Sequence, residues 1–588
     1  MSLGRLTPAL AALLIAIFAA IVATSEGAGR PVSVYPSAGT PTASPLTQIS
    51  FRGADPAELG AIKVTGSRSG SHPGRLEAHS DGNGASFLPD RPFDPGETVT
   101  VRAARPLVGE KRGAVTFRTA VFRRKLTASA RGGGGSSSLG DSSFHSVGGF
   151  RPPGIKVLTR KKGRAKGDIF LAPKSGQRAA MITDDSGKLV WYHPAPHGYR
   201  IYDFRRQKYH GHHVLTWMEW RSCTSLDCGV GQIYDTSYRA LASVRAGNGY
   251  AADFHEFDVT SSGTAYLIIN QPVTADLRSV GGPKNGPMYD SIVQKIDVVT
   301  GLVLFEWHAS GHVPLTESYL RYHHGTFDPY HVNSIYQESN GDLLISARNT
   351  SAAYEVDPSS GNVLWRLGGK KSSFKLGHGA RFLAQHDVRR AKNGDITIFD
   401  NEFGAGIGHG PSRGLVLSVD VNHHRAKVVR SLHRKSSVRA ASQGNVQGLP
   451  NGNYFIGWGG LTPYYSEFDR KGHLVYDAQF VNTVGNTYRA FRFSWHAKPA
   501  DPPAVFASAS KGKTSVWMSW NGATEVSKWR VLAGATPVLL SHATTVSRHN
   551  FEASATLTGV QHYVKVQALA SNGSVLGTSP VTTVQGAG

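Results

Sequence analysis

Two short sequence patterns alternate along the middle of the chain and constrain its fold more than any other feature. One is a turn followed by a short apolar strand, and the other is an aspartate or turn, a glycine and a strand that often ends in an aromatic residue, as in GTAYLIIN at 263 and DPSSGNVLWRL at 357. Successive copies of the first pattern are more than fifty residues apart, and no helical periodicity separates them. This spacing fits one four-stranded blade per repeat. The patterns predict an all-β fold with a β-propeller of about six blades over residues 165–500, counted from elements at 184, 211, 263, 341, 394 and 452.

Two smaller β-rich regions flank the repeats. Residues 30–122 alternate short β-rich runs with Gly, Pro and Ser turns, and the segment FLPDRPFDPGETVTVRA resembles the late strands of bacterial immunoglobulin-like modules. Residues 503–588 contain SVWMSWNG and HYVKVQALASNG, which resemble strands of a fibronectin type III sandwich with Trp520 facing inward. Between the first sandwich and the repeats, residues 123–164 contain RGGGGSSSLG and are predicted to be a linker and lead-in.

Composition agrees with several β domains and narrows the partners. The 588 residues exceed the size of one hydrophobic core, and the 67 glycines with 18% charged residues suit many short strands joined by tight turns. The net charge of +23 attracts anions, but it does not distinguish nucleic acid, a membrane surface and an acidic ligand. Because no helix-turn-helix, zinc-finger or aromatic RNA-binding signature is present, we predict no nucleic-acid partner.

The first residues predict export from the cytoplasm. Arg5 precedes an apolar run from Ala9 to Ala23, which has the length of a signal-peptide core and is short for a membrane-spanning helix. We therefore expect residues 1–28 to be a signal peptide or a retained membrane anchor, and the protein to be extracellular or on the cell surface.

The two cysteines, Cys223 and Cys228, lie in one loop of this exported chain, RSCTSLDCGVG, and predict a local disulfide. A zinc or redox pair is the alternative. It is disfavoured because the spacing is not C-x-x-C and no second cysteine pair completes a zinc site. We expect no metal and no cofactor.

Three histidines occupy nearly the same place in three successive repeats. His255, His331 and His386 each precede the glycine of their repeat by eight to ten residues, and Arg348 ends the strand that follows His331. Propellers gather polar residues from different blades at their central channel, so equal positions in the repeats predict a common site. These four residues are the candidate catalytic set.

The same segments resemble the arylsulfotransferase family. HVNSI, ISARNTSAAYEVD with SGNVLWRLGG, and QHDVRRAKNGDITIFDN follow in the order of the family's active-site motifs, and the resemblance spans about 165–490. The QHD form is closer to the fungal and actinobacterial branch. The resemblance implies that His386 accepts a sulfuryl group from a phenolic sulfate ester and passes it to a phenol, with His331, Arg348 and His255 around it. It is compatible with a homodimer and does not fix the oligomeric state.

The general acid and base is one of His255 and His331, and the sequence does not choose between them. Asp387, beside the proposed nucleophile, fits a structural role better than an orienting one, since neighbours in an extended segment point in opposite directions.

Two other functions fit parts of the sequence. A non-catalytic exported propeller for binding or adhesion would explain the flanking sandwiches, but it would not require the intact histidine and arginine set. A quinone-cofactor dehydrogenase would need a calcium site and adjacent cysteines, and Cys223 and Cys228 are not adjacent.

Overall fold

The computed structural model describes residues 31–123, 142–222, 228–404, 408, 410–460, 462–481 and 486–587, and it confirms the all-β class. The predicted signal segment, residues 124–141 of the linker and Cys223 lie outside the described residues, so the export and disulfide predictions remain predictions. The described helical pieces are α1 (Ala309–His312) and single 3₁₀ turns at Pro56–Glu58, Arg278–Val280 and Leu315–Glu317. In the described part of the chain, no helix has the length and apolar character needed to cross a membrane.

The N-terminal region forms two four-stranded sheets that share one apolar core. One sheet has the order β1-β2-β6-β5 and the other β4-β3-β7-β8, and side chains such as Phe51 and Val101 meet between them. The strands are β1 (Ser33–Tyr35), β2 (Ile49–Arg52), β3 (Lys63–Gly66), β4 (Gly70–His72), β5 (Gly74–Ala78), β6 (Gly84–Pro89), β7 (Thr98–Arg102) and β8 (Val115–Arg118).

The central region contains the repeats. Its strands are β9 (Ile155–Arg160), β10 (Asp168–Pro173), β11 (Ala179–Thr183), β12 (Leu189–Pro194), β13 (Arg200–Tyr209), β14 (His212–Trp220), β15 (Gly229–Tyr234), β16 (Ala240–Val244), β17 (Phe257–Val259), β18 (Thr264–Ala275), β19 (Gly286–Asp297), β20 (Val303–His308), β21 (Val332–Gln337), β22 (Leu343–Ala347), β23 (Ala352–Val356), β24 (Val363–Gly368), β25 (Lys375–Leu376), β26 (His386–Arg390), β27 (Ile396–Asp400), β28 (Arg413–Asp420), β29 (Arg425–Leu432), β30 (Asn445–Gly448), β31 (Tyr454–Gly457), β32 (Tyr464–Phe468), β33 (Leu474–Phe480) and β34 (Thr487–Phe493).

Each repeat of the central region is one sheet of four or five strands, and its strand pairs are antiparallel except for β25 and β29, which are parallel. The orders are β12-β11-β10-β34, β13-β14-β15-β16, β17-β18-β19-β20, β21-β22-β23-β24, β25-β29-β28-β27-β26 and β30-β31-β32-β33-β9. The two ends of the region are both paired, since β34 completes the first sheet and β9 the last. This pairing covers edges that would otherwise be open to other chains.

Six strands, one from each sheet, face one another and are called the inner strands: β13, β17, β21, β26, β30 and β34. Among them β34 contacts β13 and β30, β13 contacts β17, and β26 contacts β21 and β30. The strands behind them carry nearly continuous apolar runs, such as LLISA in β22, because both of their faces pack against neighbouring sheets. The N-terminal ends of the inner strands therefore come together.

The C-terminal region also packs two sheets around one core. The sheets have the orders β35-β36-β39 and β38-β37-β40-β41, and Trp520 lies in the core between them with Val564 and Val566. The strands are β35 (Ala504–Ser510), β36 (Lys513–Ser519), β37 (Lys528–Gly534), β38 (Ser541–Ser547), β39 (Glu552–Thr558), β40 (Tyr563–Leu569), β41 (Val575–Thr578) and β42 (Thr582–Thr583).

A buried histidine joins the N-terminal region to the central region. Thr42 Oγ1 donates to Asp290 Oδ2 at 2.6 Å, and the same carboxyl oxygen is 2.8 Å from His308 Nδ1. His308 Nε2 lies 2.9 Å from Glu306 Oε1. Burial disfavours a charge on this ring, but the hydrogen bonds with Asp290 and Glu306 outweigh it and raise the pKa of His308 to about 9. The interface thus contains a protonated imidazole between two carboxylates.

Stability should fall in alkaline solution because of His308. Its pKa of about 9 in the folded chain exceeds the ordinary value near 6.5, so the stabilisation is complete below the unfolded pKa and is lost as the pH rises through the folded one. Calorimetry at about pH 6 and about pH 9.5 should show a loss on the order of 2 kcal/mol at the higher pH. His308→Gln should show a weaker pH dependence, and an unchanged dependence in this variant would contradict the assignment.

Candidate active site

His386 is the first residue of the inner strand β26, and a single hydrogen bond determines the tautomer of its ring. Its Nδ1 lies 2.8 Å from Asn401 Oδ1. The amide group of Asn401 donates in the other direction, to the carbonyl oxygens of Ala440 at 2.7 Å and Gln443 at 3.2 Å. Because these two bonds fix which end of the amide faces the ring, Asn401 presents an acceptor and Nδ1 must carry the proton. The lone pair of His386 is therefore on Nε2.

The surroundings of His386 keep its ring neutral. The residue is 1% exposed, and Nε2 has no hydrogen-bond partner among the described residues. Burial lowers the pKa of His386 well below its ordinary value, and the nearby charge of Arg348 lowers it further. A buried, neutral imidazole with an unpartnered nitrogen is a competent nucleophile at neutral pH.

His331 and His255 stand beside each other at the same end of the inner strands. Their ring centroids are 5.0 Å apart at an interplanar angle of 80°. Asp328 Oδ2 lies 2.6 Å from Nδ1 of His331, and the carboxylate of Asp253 holds Nδ1 of His255 in the same way. Since a carboxylate accepts the Nδ1 proton, each ring presents Nε2 as the atom that can accept or release a proton toward a substrate.

The backbone of His331 adopts a conformation that few residues of its type adopt. Its φ is 54°, in the left-handed region, and its carbonyl accepts a hydrogen bond from the backbone of Arg348 at 3.0 Å. Such a conformation costs free energy and persists where the surrounding structure requires it. The hydrogen bond joins the segment of His331 to the end of β22. His331 and Arg348 are therefore held together by a main-chain contact.

Arg348 offers a half-buried cation to an anionic group. Its Nη1 donates to Asn349 Oδ1 at 2.8 Å and its Nη2 to the carbonyl of Ala441 at 3.1 Å, while Nε is buried without a partner. In the described part of the chain it forms no ion pair with a carboxylate. Burial lowers the pKa of Arg348, but a guanidinium remains charged at any physiological pH. The structure thus brings all four predicted residues to one place.

Two site residues were not predicted from the sequence, Asn401 and Lys174. Asn401 ends the segment GDITIFDN, and the pairing of His386 with Phe399 in the β26–β27 hairpin places it close to the histidine. Hairpin register could have revealed it. Lys174 follows β10 and its Nζ donates to Gln443 Oε1. Burial, together with the charge of Arg200, lowers the pKa of Lys174 to about 7. No local pattern distinguishes this lysine from others.

Neighbouring polar residues of the predicted motifs support the site without facing a substrate. Asn333 Nδ2 donates to the carbonyl of Gln385 at 2.8 Å, and Ser334 Oγ accepts from the backbone of Val388 at 3.0 Å. Asp387 accepts from Arg389 Nε at 2.9 Å, so its carboxylate belongs to an ion pair. The contacts of Asn333 and Ser334 fix the strand that begins with His386, β26, against β21 of the adjacent sheet.

Together these features define an all-β protein whose buried, neutral histidine lies near an arginine without an ion-pair partner in the described residues, a site suited to an anionic group. Residues 205–481, just under half of the chain, match the family described as arylsulfotransferase (ASST). The match supports the family prediction, all four predicted site residues lie within it, and the branch remains a prediction. It supports a sulfotransferase-type enzyme that uses, in general terms, a phenolic sulfate donor and a phenol acceptor.

The chain has only a weak likeness to several solved structures. Virginiamycin B lyase from Staphylococcus aureus has 8% identity and a TM-score of 0.29, covering 62% of this chain and 96% of its own. A streptogramin B lyase has 9% identity and a TM-score of 0.29, and the likeness covers 62% of this chain and 94% of that one. The GH43 BlXynB protein from Bacillus licheniformis has 7% identity and a TM-score of 0.26, and the likeness covers 72% of this chain and 91% of that one. Scores this low carry no argument about this chain. No curated protein matches the sequence.

The tautomer of His386 can be measured directly. In protein labelled with nitrogen-15 at histidine, NMR at about pH 6.5 should show a neutral His386 ring with the proton on Nδ1, because Asn401 accepts there and burial opposes a charge. In Asn401→Ala the Nε2–H tautomer should become populated. A cationic ring at that pH, or an Nε2 proton in the wild-type protein, would contradict the geometry.

Proposed function

We propose that the protein moves a sulfuryl group from a phenolic sulfate ester to a phenol in two displacements, with the group held on His386 between them. The observation that carries the proposal is the buried Nε2 of His386, which has a lone pair and no partner among the described residues and lies near Arg348. The family match of residues 205–481 supports the same reaction class.

The proposal includes an architecture. The six sheets of the central region would be the blades of a six-bladed propeller, with the inner strands around its axis and the candidate site at their N-terminal ends. The flanking two-sheet regions would be immunoglobulin-like and fibronectin type III-like sandwiches. We also propose that the chain is exported, on the basis of its apolar N-terminal segment.

In the first displacement, the lone pair of His386 Nε2 attacks the sulfur of the donor. The nitrogen–sulfur bond forms as the bond from sulfur to the aryl oxygen breaks, and that oxygen leaves with the electron pair and takes up a proton. The equatorial oxygens carry the negative charge during transfer, and the guanidinium of Arg348 can donate to them.

Asn401 supports both displacements through its hydrogen bond with Nδ1 of His386, the ring nitrogen that does not attack sulfur. After attack the imidazole bears a sulfuryl group on Nε2 and a proton on Nδ1, so it is positively charged and Asn401 Oδ1 accepts a stronger hydrogen bond from it. In the second displacement, the oxygen of the acceptor phenol attacks sulfur, loses its proton and releases neutral His386. The ring therefore leaves without needing a proton itself.

The proton must move between the phenolic oxygens and the protein. His255 and His331 present Nε2 atoms at the same place and each is oriented by a carboxylate, so this pair would protonate the departing oxygen and deprotonate the acceptor. The histidine pair acts on the oxygen, and Arg348 acts on the transferred group.

The stored group can be trapped. Wild-type protein mixed with a chromogenic aryl sulfate and no acceptor, then denatured quickly at mildly alkaline pH to protect the nitrogen–sulfur bond, should carry one sulfuryl group on the peptide that contains His386. Peptide mass spectrometry measures the adduct. Adding a phenol before denaturation should remove it.

Three variants provide the controls for trapping. His386→Asn should form no adduct and show no turnover, whereas His331→Asn and His255→Asn should form the adduct more slowly. An adduct on His331 or His255, or full turnover by His386→Asn, would overturn the role of His386. Transfer by an enzyme that is never modified would indicate direct transfer between the two substrates.

Arg348→Lys should lower kcat although the charge is kept. An ammonium cannot offer a planar pair of donors to two sulfuryl oxygens, so we expect a loss of about 10- to 100-fold in steady-state assays. Lys392→Arg, at an exposed position beyond the opposite end of β26, is a matched control and should retain activity. Wild-type rates in Arg348→Lys would remove this residue from the site.

A further inference from the structure

Lys174 lies at the edge of the candidate site, and two hydrogen bonds fix its position. Its backbone N–H donates to the carbonyl of Asn486 at 3.0 Å, just before β34 begins. Its Nζ donates to Gln443 Oε1, and the carbonyl of Gln443 accepts from Asn401, the residue that orients His386. Lys174 is thus linked to the nucleophile through two side chains.

In the described part of the chain, no carboxylate forms an ion pair with Nζ of Lys174. Burial lowers the pKa of Lys174, and the charge of its neighbour Arg200, another cation, lowers it further. Burial raises the pKa of Tyr202, and the hydrogen bond of its hydroxyl with Arg200 opposes this shift. Two cations placed together in a partly buried position are unfavourable unless an anion joins them.

The ring of Tyr488 is a neighbour of both this cation and His255. Nζ of Lys174 lies 5.6 Å from the centroid of the Tyr488 ring, and that centroid is 6.0 Å from the centroid of His255. Phe254 stacks on His255 at 4.2 Å and on Tyr202 at 4.4 Å, and it is partly exposed. A phenol lying along these rings would place its hydroxyl at the histidines and a substituent on its far side near Lys174.

From this arrangement we infer that Lys174 and Arg200 form an anion subsite, and that the acceptors of this protein are phenols carrying a second acidic group such as a carboxylate. The inference rests on the proposed function, since it concerns the substrate of the same site. Arg348 binds the transferred sulfuryl group, whereas Lys174 and Arg200 bind the charge that stays on the phenol. The two cationic positions therefore have separate ligands.

The kinetic test compares two acceptors that differ in charge and little in shape. With a chromogenic aryl sulfate as donor, wild-type protein should use 4-hydroxyphenylacetate with a kcat/KM about tenfold higher than 4-hydroxyphenylacetamide, because a charge-assisted hydrogen bond is gained. Lys174→Gln and Arg200→Gln should each bring this ratio toward one, and Lys174→Arg should preserve it. Lys208→Gln, exposed at the far end of β13, is the matched control and should keep the wild-type ratio.

A binding measurement separates this inference from the proposed reaction. Phenylacetate and phenylacetamide lack the phenolic hydroxyl and cannot accept a sulfuryl group. Calorimetric titration of the full chain should show binding of phenylacetate that is about tenfold tighter than that of phenylacetamide and that Lys174→Gln weakens. If sulfuryl transfer fails but this difference remains, the subsite stands and the reaction does not. If the wild-type protein shows equal kcat/KM for the two acceptors and equal affinity for phenylacetate and phenylacetamide, the proposed subsite is wrong.

Discussion

The central region depends on a buried network of charges in which one carboxylate is shared by three arginines. Glu256, fully buried just before β17, accepts from Arg205 at 2.5 Å, Arg389 at 2.6 Å and Arg489 at 3.3 Å. Burial opposes its charge, but the three guanidinium groups hold the pKa of Glu256 well below its usual range. These arginines come from β13, β26 and β34. Removing Glu256 would leave them without compensation in a buried position, which costs far more than the loss of an exposed ion pair.

The network also explains why the candidate site forms where it does. Along three inner strands, adjacent residues divide their roles: His255 precedes Glu256, His386 precedes Asp387, and Tyr488 precedes Arg489. The first member of each pair faces the site, and the second enters the charge network. Because the network fixes the second residue of each pair across several sheets, it also fixes where along the inner strands the first residues meet. The position of the site is therefore a consequence of the buried charge network.

The electrostatics of the site follow from its position at the end of this network. His386 faces a carboxamide rather than a carboxylate, so its ring is oriented without gaining a proton. His255 and His331, which contact each other, each face a carboxylate. The chain thereby provides, at one site, one neutral nucleophile and two histidines suited to proton transfer. Different partners for chemically identical side chains produce this division of roles.

Much of the organisation could be read from the sequence, because it is encoded in short patterns. Strand and turn repeats predicted the all-β class, because the alternation of apolar strands and turn residues is a local property of the sequence. Equal positions of His255, His331 and His386 relative to their repeats predicted that they would meet, and motif order indicated the family. The immunoglobulin-like and fibronectin type III-like identities, the disulfide and export remain predictions.

Tertiary structure alone decided which groups surround each side chain. Lys174 and Gln443 are 269 residues apart, and Arg489 meets Glu256 across 233 residues, so no local pattern records either contact. The tautomer of His386 depends on Asn401, whose own orientation depends on carbonyl oxygens from a later loop. Sequence determined which residues could carry the chemistry because residue type and repeat position are local properties. The charge and protonation of these side chains are set by neighbours brought together in space, and only the folded chain determines them.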